Sequence, residues 1–213
     1  MRTVTRIYYI YNYRELTDEA KEKARSWYLD DSFRPMELES DYTEDLRYLF
    51  KNSSLNLQFS LSYCQGDGLN IYGQLDLEDI FTVISDKSYC GELFKDFWDV
   101  LTEHQIKTLR AYMDICGKYI QLPRNCRYSF CIADRTDFAG DWIEQLEYSH
   151  YRDIQTDIIF KLEKLVISIF SFLAKHYEED GYKFLYEVDE DEISEVCESN
   201  GWEFLADGSY FIE

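Results

Sequence analysis

The chain has 213 residues, of which 46% are hydrophobic and 17% aromatic, and this supply of core-forming side chains excludes global disorder. Its formal net charge of −20 predicts repulsion from nucleic acid and anionic lipid and attraction to basic surfaces. The N-terminal MRTVTRIYYIYNY lacks the apolar segment of a signal peptide, and the most apolar run, LVISIFSFLA, is too short to span a bilayer. We therefore expect a soluble, cytoplasmic protein that binds no membrane.

The N-terminal region predicts one strand followed by two helices. Residues 3–11 are rich in β-branched and aromatic side chains, which favour a strand. Thr17 is a suitable N-cap for an amphipathic helix whose apolar stripe contains Leu16, Ala20, Ala24, Trp27 and Tyr28. A second helix is predicted to start near Pro35 and to direct Leu46, Leu49 and Phe50 inward.

Residues 55–76 predict a β-hairpin. Apolar residues from Leu55 to Tyr63 alternate with polar ones, which is typical of a half-buried strand, and the alternation resumes from Leu69 to Asp76. Asp67-Gly68 is a strong two-residue turn motif.

The remaining sequence predicts mostly helices. Residues 77–101 are helical in pattern with a break near Gly91, and Thr102 with Gln105 forms a capping box for a helix that ends near Gly117. Residues 121–138 predict a loop and a third strand, residues 153–179 a long core helix, and residues 189–201 a short helix. A small aromatic strand pair is predicted around a turn at Asp207-Gly208.

Together these elements predict an α+β fold in which helices pack on a small antiparallel sheet built around the hairpin at 55–76. We expect one acidic domain over residues 1–213, with residues 181–213 as a candidate C-terminal subdomain.

The glycine-rich Gln65-Gly66-Asp67-Gly68 segment is the first candidate site. A phosphate cradle needs converging backbone N–H groups at a helix N-terminus, and a calcium loop needs several oxygen ligands, whereas this segment lies between strands and has one carboxylate. It is best interpreted as a turn. The alternative is a binding tip that presents Gln65 and Asp67 to a partner.

Cysteine and histidine patterns indicate no catalytic or metal site. The six cysteines have no C-x-x-C spacing and fit reduced thiols, and the three histidines match no zinc motif. Cys126 or Cys131 with His150 is conceivable as a nucleophile pair, but no family pattern supports it. We therefore expect no catalytic residue, no metal and no cofactor, while an enzyme with an unrecognised site stays open.

The acidic residues are unevenly distributed and form the second candidate site. On the second predicted helix, Glu37, Asp41, Glu44 and Asp45 are near neighbours that repel one another unless a cation or a partner compensates their charge. A second acidic run contains Asp189, Glu190, Asp191 and Glu192. Either these residues form a solvated surface that keeps the protein soluble, or they dock on a basic groove.

Three segments resemble a family of small acidic proteins encoded by phages and prophages. ELTDEAKEKARSWY at 15–28 is similar to the family's E-L-[ST]-x-E-A-K-E-x-A-x-x-W-Y helix, and YCQGDGLNIYG at 63–73 is similar to its Q-G-D-G hairpin. ESNGWEFLADG at 198–208 is similar to the closing segment of the family. A tryptophan-rich stretch usual in the family is replaced here by FRPMELESDYTEDLRYLF. The resemblance implies a phage origin more than a chemistry.

Phage accessory proteins with this acidity are often inhibitors of host defence, and this analogy leads to the main functional hypothesis. The chain is expected to be a non-enzymatic anti-CRISPR or anti-restriction protein that binds the basic nucleic-acid-binding surface of a host protein, and not nucleic acid itself. An antitoxin that neutralises a basic toxin would have the same acidic surface and is the first alternative. An inert virion component is a second alternative. Exposed aromatic residues are also compatible with a homodimer.

Overall fold

The computed structural model describes residues 2, 6–30, 33–89, 92–124 and 136–212. The protein has an α+β fold, as the sequence predicts, with helices and two small antiparallel sheets. Within the described ranges, no helix combines the length and apolar character that crossing a membrane requires. The chain divides into two compact units, of which unit 1 contains residues 1–38 and 181–213 and unit 2 contains residues 39–180. Residues 181–213, the candidate subdomain, thus belong to the same unit as the N-terminal segment.

Unit 1 is built from both ends of the chain. Strand β1 (Ile10–Tyr11) pairs antiparallel with strand β5 (Phe204–Leu205), and helices α1 (Asp18–Leu29) and α7 (Glu190–Asn200) complete the unit. Its buried core contains Tyr13, Leu16, Ala20, Ala24, Tyr28, Val188, Ile193, Cys197 and Phe204. The predicted stripe of α1 is confirmed, since four of its five members are in this core and Trp27 packs against it.

Unit 2 contains the three-stranded sheet β2-β3-β4, formed by strands β2 (Ser54–Ser60), β3 (Gly68–Asp76) and β4 (Tyr119–Leu122). The hairpin prediction is confirmed by the register, which pairs Leu57 with Ile71 and Ser60 with Gly68. The inward residues Leu69, Ile71 and Leu75 of β3 are fully buried.

The helices of unit 2 are α3 (Leu77–Ser85), α4 (Glu103–Cys116) and α5 (Ala139–Tyr148), together with most of α2 (Phe33–Leu49) and α6 (Thr156–Tyr186). The Thr102/Gln105 capping box and the C-terminal Gly117 of α4 are confirmed. Leu46, Leu49 and Phe50 are buried as predicted, and the Phe50 ring stacks on Phe170 at 5.0 Å between ring centroids.

Several predictions of local structure need correction. The hairpin does not close on a two-residue turn, because residues 61–67 form a longer loop between Ser60 and Gly68. The helical pattern at 77–101 gives a helix only as far as Ser85, followed by a short 3₁₀ helix at Lys95–Phe97. Strand β1 is paired only at Ile10–Tyr11, and residues 3–5 lie outside the described ranges.

Strand β4 at Tyr119–Leu122 begins before the predicted loop and strand at 121–138, and residues 125–135 of that predicted segment lie outside the described ranges. Helix α5 was not predicted at all, and α6 extends beyond the predicted end at Glu179 to Tyr186.

Candidate functional site

Helix α2 carries an uncompensated group of carboxylates. Asp41, Glu44 and Asp45, which we call the α2 acidic stripe, are exposed and lie within a five-residue segment of the helix in unit 2. Within the described part of the chain, none of the three makes a hydrogen bond or a salt bridge. Glu37, the fourth predicted residue of this helix, is also exposed and is assigned to unit 1. The stripe is therefore available to a cationic partner.

The pKa of Asp45 is raised above its ordinary value. Partial burial is the largest cause of this higher pKa, and the neighbouring carboxylates of Asp41 and Glu44 raise it further, while His176 lowers it. Burial and the two neighbouring carboxylates make ionisation of Asp45 more costly, and His176 makes it less so. A cationic group placed beside Asp45 would relieve this cost.

Two stacked tyrosines lie behind the stripe. The rings of Tyr42 and Tyr177 are parallel within 8° at 4.2 Å between ring centroids, and the Tyr42 hydroxyl donates a 2.6 Å hydrogen bond to the Tyr177 carbonyl oxygen. Burial raises the pKa of both tyrosines, and the charge of Asp45 contributes in each case. Next to them, His176 Nε2 lies 3.3 Å from Asp180 Oδ2. The buried stack and its hydrogen bond therefore pack the helix that carries the stripe against α6.

An exposed tyrosine that the sequence analysis missed continues the helix beyond the stripe. Tyr48 is 56% exposed, and its ring stacks on Tyr89 at 5.6 Å between ring centroids with an interplanar angle of 8°. The Lys51 ammonium lies 5.3 Å from the Tyr48 centroid and 4.6 Å from the Tyr89 centroid. Tyrosine is enriched among the residues that dominate binding interfaces. The presence of a tyrosine beside the acidic residues was therefore the clue that the sequence offered.

Asp67 is committed to the fold of its own loop. Its carboxylate accepts hydrogen bonds from the backbone N–H groups of Ser62 and Cys64 at 2.6 and 3.0 Å, and from the Ser60 hydroxyl at 3.0 Å. The Cys64 thiol also donates to it at 3.0 Å. This geometry supports the turn interpretation, since the carboxylate organises residues 60–67. Gln65 is exposed at the tip of the same loop.

The acidic run of unit 1 also has local roles. Asp189 is the N-cap of α7, where its side chain accepts from the backbone N–H of Glu192 at 2.7 Å. Glu190 forms a salt bridge with Lys21. Glu190, Asp191 and Glu192 lie in the first turn of α7, where the helix dipole stabilises negative charge. The run therefore differs from the α2 acidic stripe, because its charges are partly compensated.

The structure describes only some of the residues of the cysteine–histidine pair that the sequence suggested as a nucleophile. Cys126 and Cys131 lie outside the described ranges, while His150 is exposed at the end of α5. Among the residues that the structure describes, no group of three or more His, Cys, Asp or Glu side chains is placed to hold a metal ion. Cys197 is buried, and burial raises the pKa of its thiol to about 11.

No protein-family model matches the chain, and no curated protein or solved structure matches it either.

Proposed function

We propose that this protein is a non-enzymatic inhibitor, encoded by a phage or prophage, that binds the basic nucleic-acid-binding surface of a host defence protein in the bacterial cytoplasm. Anti-CRISPR or anti-restriction activity is the specific form of this proposal. The resemblance of residues 15–28 and 63–73 to phage proteins supports the origin, and the net charge of −20 supports the class of partner.

The observation that carries the proposal is the α2 acidic stripe. Three exposed carboxylates lie within five residues without a salt bridge among the described residues, and the charges of Asp41 and Glu44 add to partial burial, the largest cause, in raising the pKa of Asp45. A folded protein gains nothing in stability from such a cluster. A basic partner compensates the charges on binding, and the gain appears as affinity and as a faster association rate.

The charge spacing of the stripe is compatible with mimicry of a nucleic-acid strand. The helix rises by roughly 6 Å from Asp41 to Asp45, at about 1.5 Å per residue. Three charges over this length give a separation of about 3 Å along the axis, close to the roughly 3.4 Å per charge of a single DNA strand. A groove that binds phosphates therefore meets a similar linear charge density.

The proposal is tested by capture of the partner. The purified protein is immobilised, incubated with a bacterial host lysate and eluted with a salt gradient, and the eluted proteins are identified by mass spectrometry. We expect a nucleic-acid-binding defence protein that elutes as salt rises, because exposed charge pairs are screened beyond about one Debye length.

The matched comparison uses two triple charge reversals. Asp41→Lys, Glu44→Lys and Asp45→Lys remove the stripe, while Asp114→Lys, Glu144→Lys and Glu147→Lys make the same charge change at exposed acidic positions on α4 and α5. Capture is expected to fail for the first variant and to persist for the second. Recovery of only a toxin would favour the antitoxin alternative, and recovery of no basic protein would contradict the proposal.

A further inference from the structure

A cavity of about 270 Å³ lies in unit 2 between strand β4 and helix α5, and its described lining residues include none from α2. Its principal lining residues are Gln121, Thr136, Asp137, Asp141, Trp142 and Gln145. Its volume is near the lower limit of small-molecule sites, so its ligand is smaller than a typical drug.

The polar lining of this cavity is rich in hydrogen-bond acceptors. Asp137 and Asp141 are exposed carboxylates that make no hydrogen bond or salt bridge with other described residues. The side-chain nitrogen of Gln121 donates to the Leu122 carbonyl oxygen at 3.1 Å, which leaves its amide oxygen as an acceptor. Ionised carboxylates accept only, so the ligand that satisfies them has to supply donors.

A buried hydroxyl gives an independent indication of a ligand. Thr136 is only 5% exposed, and its Oγ1 has no hydrogen-bond partner among the described residues. Buried polar groups in folded proteins are almost always satisfied, because desolvation without a hydrogen bond costs stability. A ligand donor that reaches Thr136 would remove this cost.

The aromatic wall of the cavity suits a cation. Trp142 is 3% exposed, and Phe138 meets it edge to face at 5.4 Å between ring centroids. Indole rings attract ammonium and guanidinium groups through their negative faces. Cys116 also lines the cavity, and its thiol lies 3.6 Å from the Trp142 carbonyl oxygen. Burial raises the pKa of Cys116, so its thiol is mostly protonated at neutral pH and reacts only through a small thiolate fraction.

A larger cavity of about 690 Å³ between α3 and α4 provides a contrast. There Arg110 is held by Glu78, with its Nη2 2.7 Å from Oε2, and Asp86 accepts from the Ser88 hydroxyl at 2.6 Å. These charged groups already have protein partners. The cavity beside α5 differs because a buried hydroxyl without a hydrogen-bond partner among the described residues lines it.

We propose that the cavity beside α5 binds a small organic cation that carries several N–H donors, such as a guanidinium or primary ammonium compound. The carboxylates of Asp137 and Asp141 pair with the cationic group, Thr136 accepts one of its N–H donors, and Trp142 packs against its apolar part. This inference does not depend on the proposed inhibitor function.

The test is isothermal titration calorimetry of the full-length protein with butylguanidinium, compared with the uncharged butylurea of similar shape. We expect saturable binding of one butylguanidinium per chain and no binding of butylurea. Because a chain with a net charge of −20 attracts cations to its whole surface, the matched variants decide the assignment. Asp137→Asn with Asp141→Asn should weaken binding at least about tenfold, as loss of a charged hydrogen bond predicts, while Asp114→Asn with Glu147→Gln should leave it unchanged.

A second readout locates the ligand without relying on affinity. Butylguanidinium in the cavity should slow alkylation of Cys116 in the folded protein and leave alkylation of the exposed Cys64 unchanged. Thr136→Val, which keeps the side-chain shape, should weaken binding several-fold. The inference is overturned if butylguanidinium does not bind saturably, if both double variants lose affinity equally, or if Cys116 is not protected.

Discussion

Asp67 shows at the residue scale how one carboxylate can organise a loop. Four donors from Ser60, Ser62 and Cys64 converge on its two oxygens. The sequence analysis could recognise a turn from Asp67 and its flanking glycines, but not this set of contacts, because Ser60 and Ser62 belong to the part of the chain that was assigned to the strand.

Replacement of Asp67 by alanine should destabilise the protein by about 1–3 kcal/mol, because two backbone N–H groups lose their acceptor. Urea unfolding measures this change in the free energy of unfolding. The matched control is Gln65→Ala in the same loop, which should change stability by less than about 0.5 kcal/mol, as is usual for exposed positions. Equal effects of the two substitutions would show that the Asp67 contacts do not hold the loop.

Asp45 gives a residue-scale prediction of pH dependence. Its pKa is raised above the ordinary value of 3.8, so the folded protein binds its proton more tightly than the unfolded chain does. Stability from this group is present below pH 3.8 and is lost as the pH rises through the folded pKa.

Asp45→Asn should therefore be more stable than the wild type at pH 7, by less than about 1 kcal/mol because the site is solvent-screened. The difference should vanish in acid, below the ordinary pKa. Thermal unfolding from pH 3 to pH 7 measures it, with Asp114→Asn at an exposed position on α4 as the control. A variant that is less stable than the wild type at pH 7 would contradict the repulsion inferred for the stripe.

At the element scale, local patterns predicted the elements whose stabilising contacts are close in sequence. The capping box of α4 and the apolar stripe of α1 involve residues three or four apart, so the sequence contains the full information. Helix α5 was missed because its N-terminus has no side-chain cap of its own. Instead, Glu163 on α6 accepts from the backbone N–H groups of Phe138 and Ala139, both at 2.8 Å.

The candidate sites could likewise be predicted only where their residues are close in sequence. Helical spacing predicted that Asp41, Glu44 and Asp45 are neighbours on one helix. In the structure all three are on that helix and exposed. The salt bridge between Glu190 and Lys21 and the cavity beside α5 could not be predicted, because both join residues that are distant in sequence.

The hairpin gives an element-scale prediction at Gly73, which has a φ of +125° in the middle of β3. A Cβ atom here would lie 2.3 Å from the Ser54 carbonyl oxygen of the neighbouring strand, so alanine requires the backbone to shift. Gly73→Ala should cost about 2–4 kcal/mol of stability.

The matched control for this substitution is Gly66→Ala in the hairpin loop. Gly66 also has a positive φ, of +107°, but a Cβ atom there meets nothing within 4 Å. Gly66→Ala should therefore cost only the strain of a positive φ in a residue with a Cβ atom, about 1–2 kcal/mol of stability. If Gly73→Ala and Gly66→Ala unfold at the same urea concentration, the close approach of the strands is not the reason why a glycine is needed at Gly73.

At the scale of the whole molecule, the sequence composition already determined the electrostatic character. A net charge of −20 makes any encounter with a basic surface fast and dependent on salt. Composition does not reveal which carboxylates remain uncompensated. That information comes from the structure, where Asp189 and Glu190 have intramolecular partners and the α2 acidic stripe has none among the described residues.

The most direct test of the central claim is the affinity of the captured defence protein for the wild type and for the two triple charge reversals, measured over a range of salt concentrations. We predict that the stripe reversal loses at least about tenfold in affinity at low salt, while the α4/α5 reversal retains most of it. Duplex DNA should compete with the wild type for the same surface. Equal affinity of the stripe reversal and the wild type at every salt concentration would contradict binding through the α2 acidic stripe.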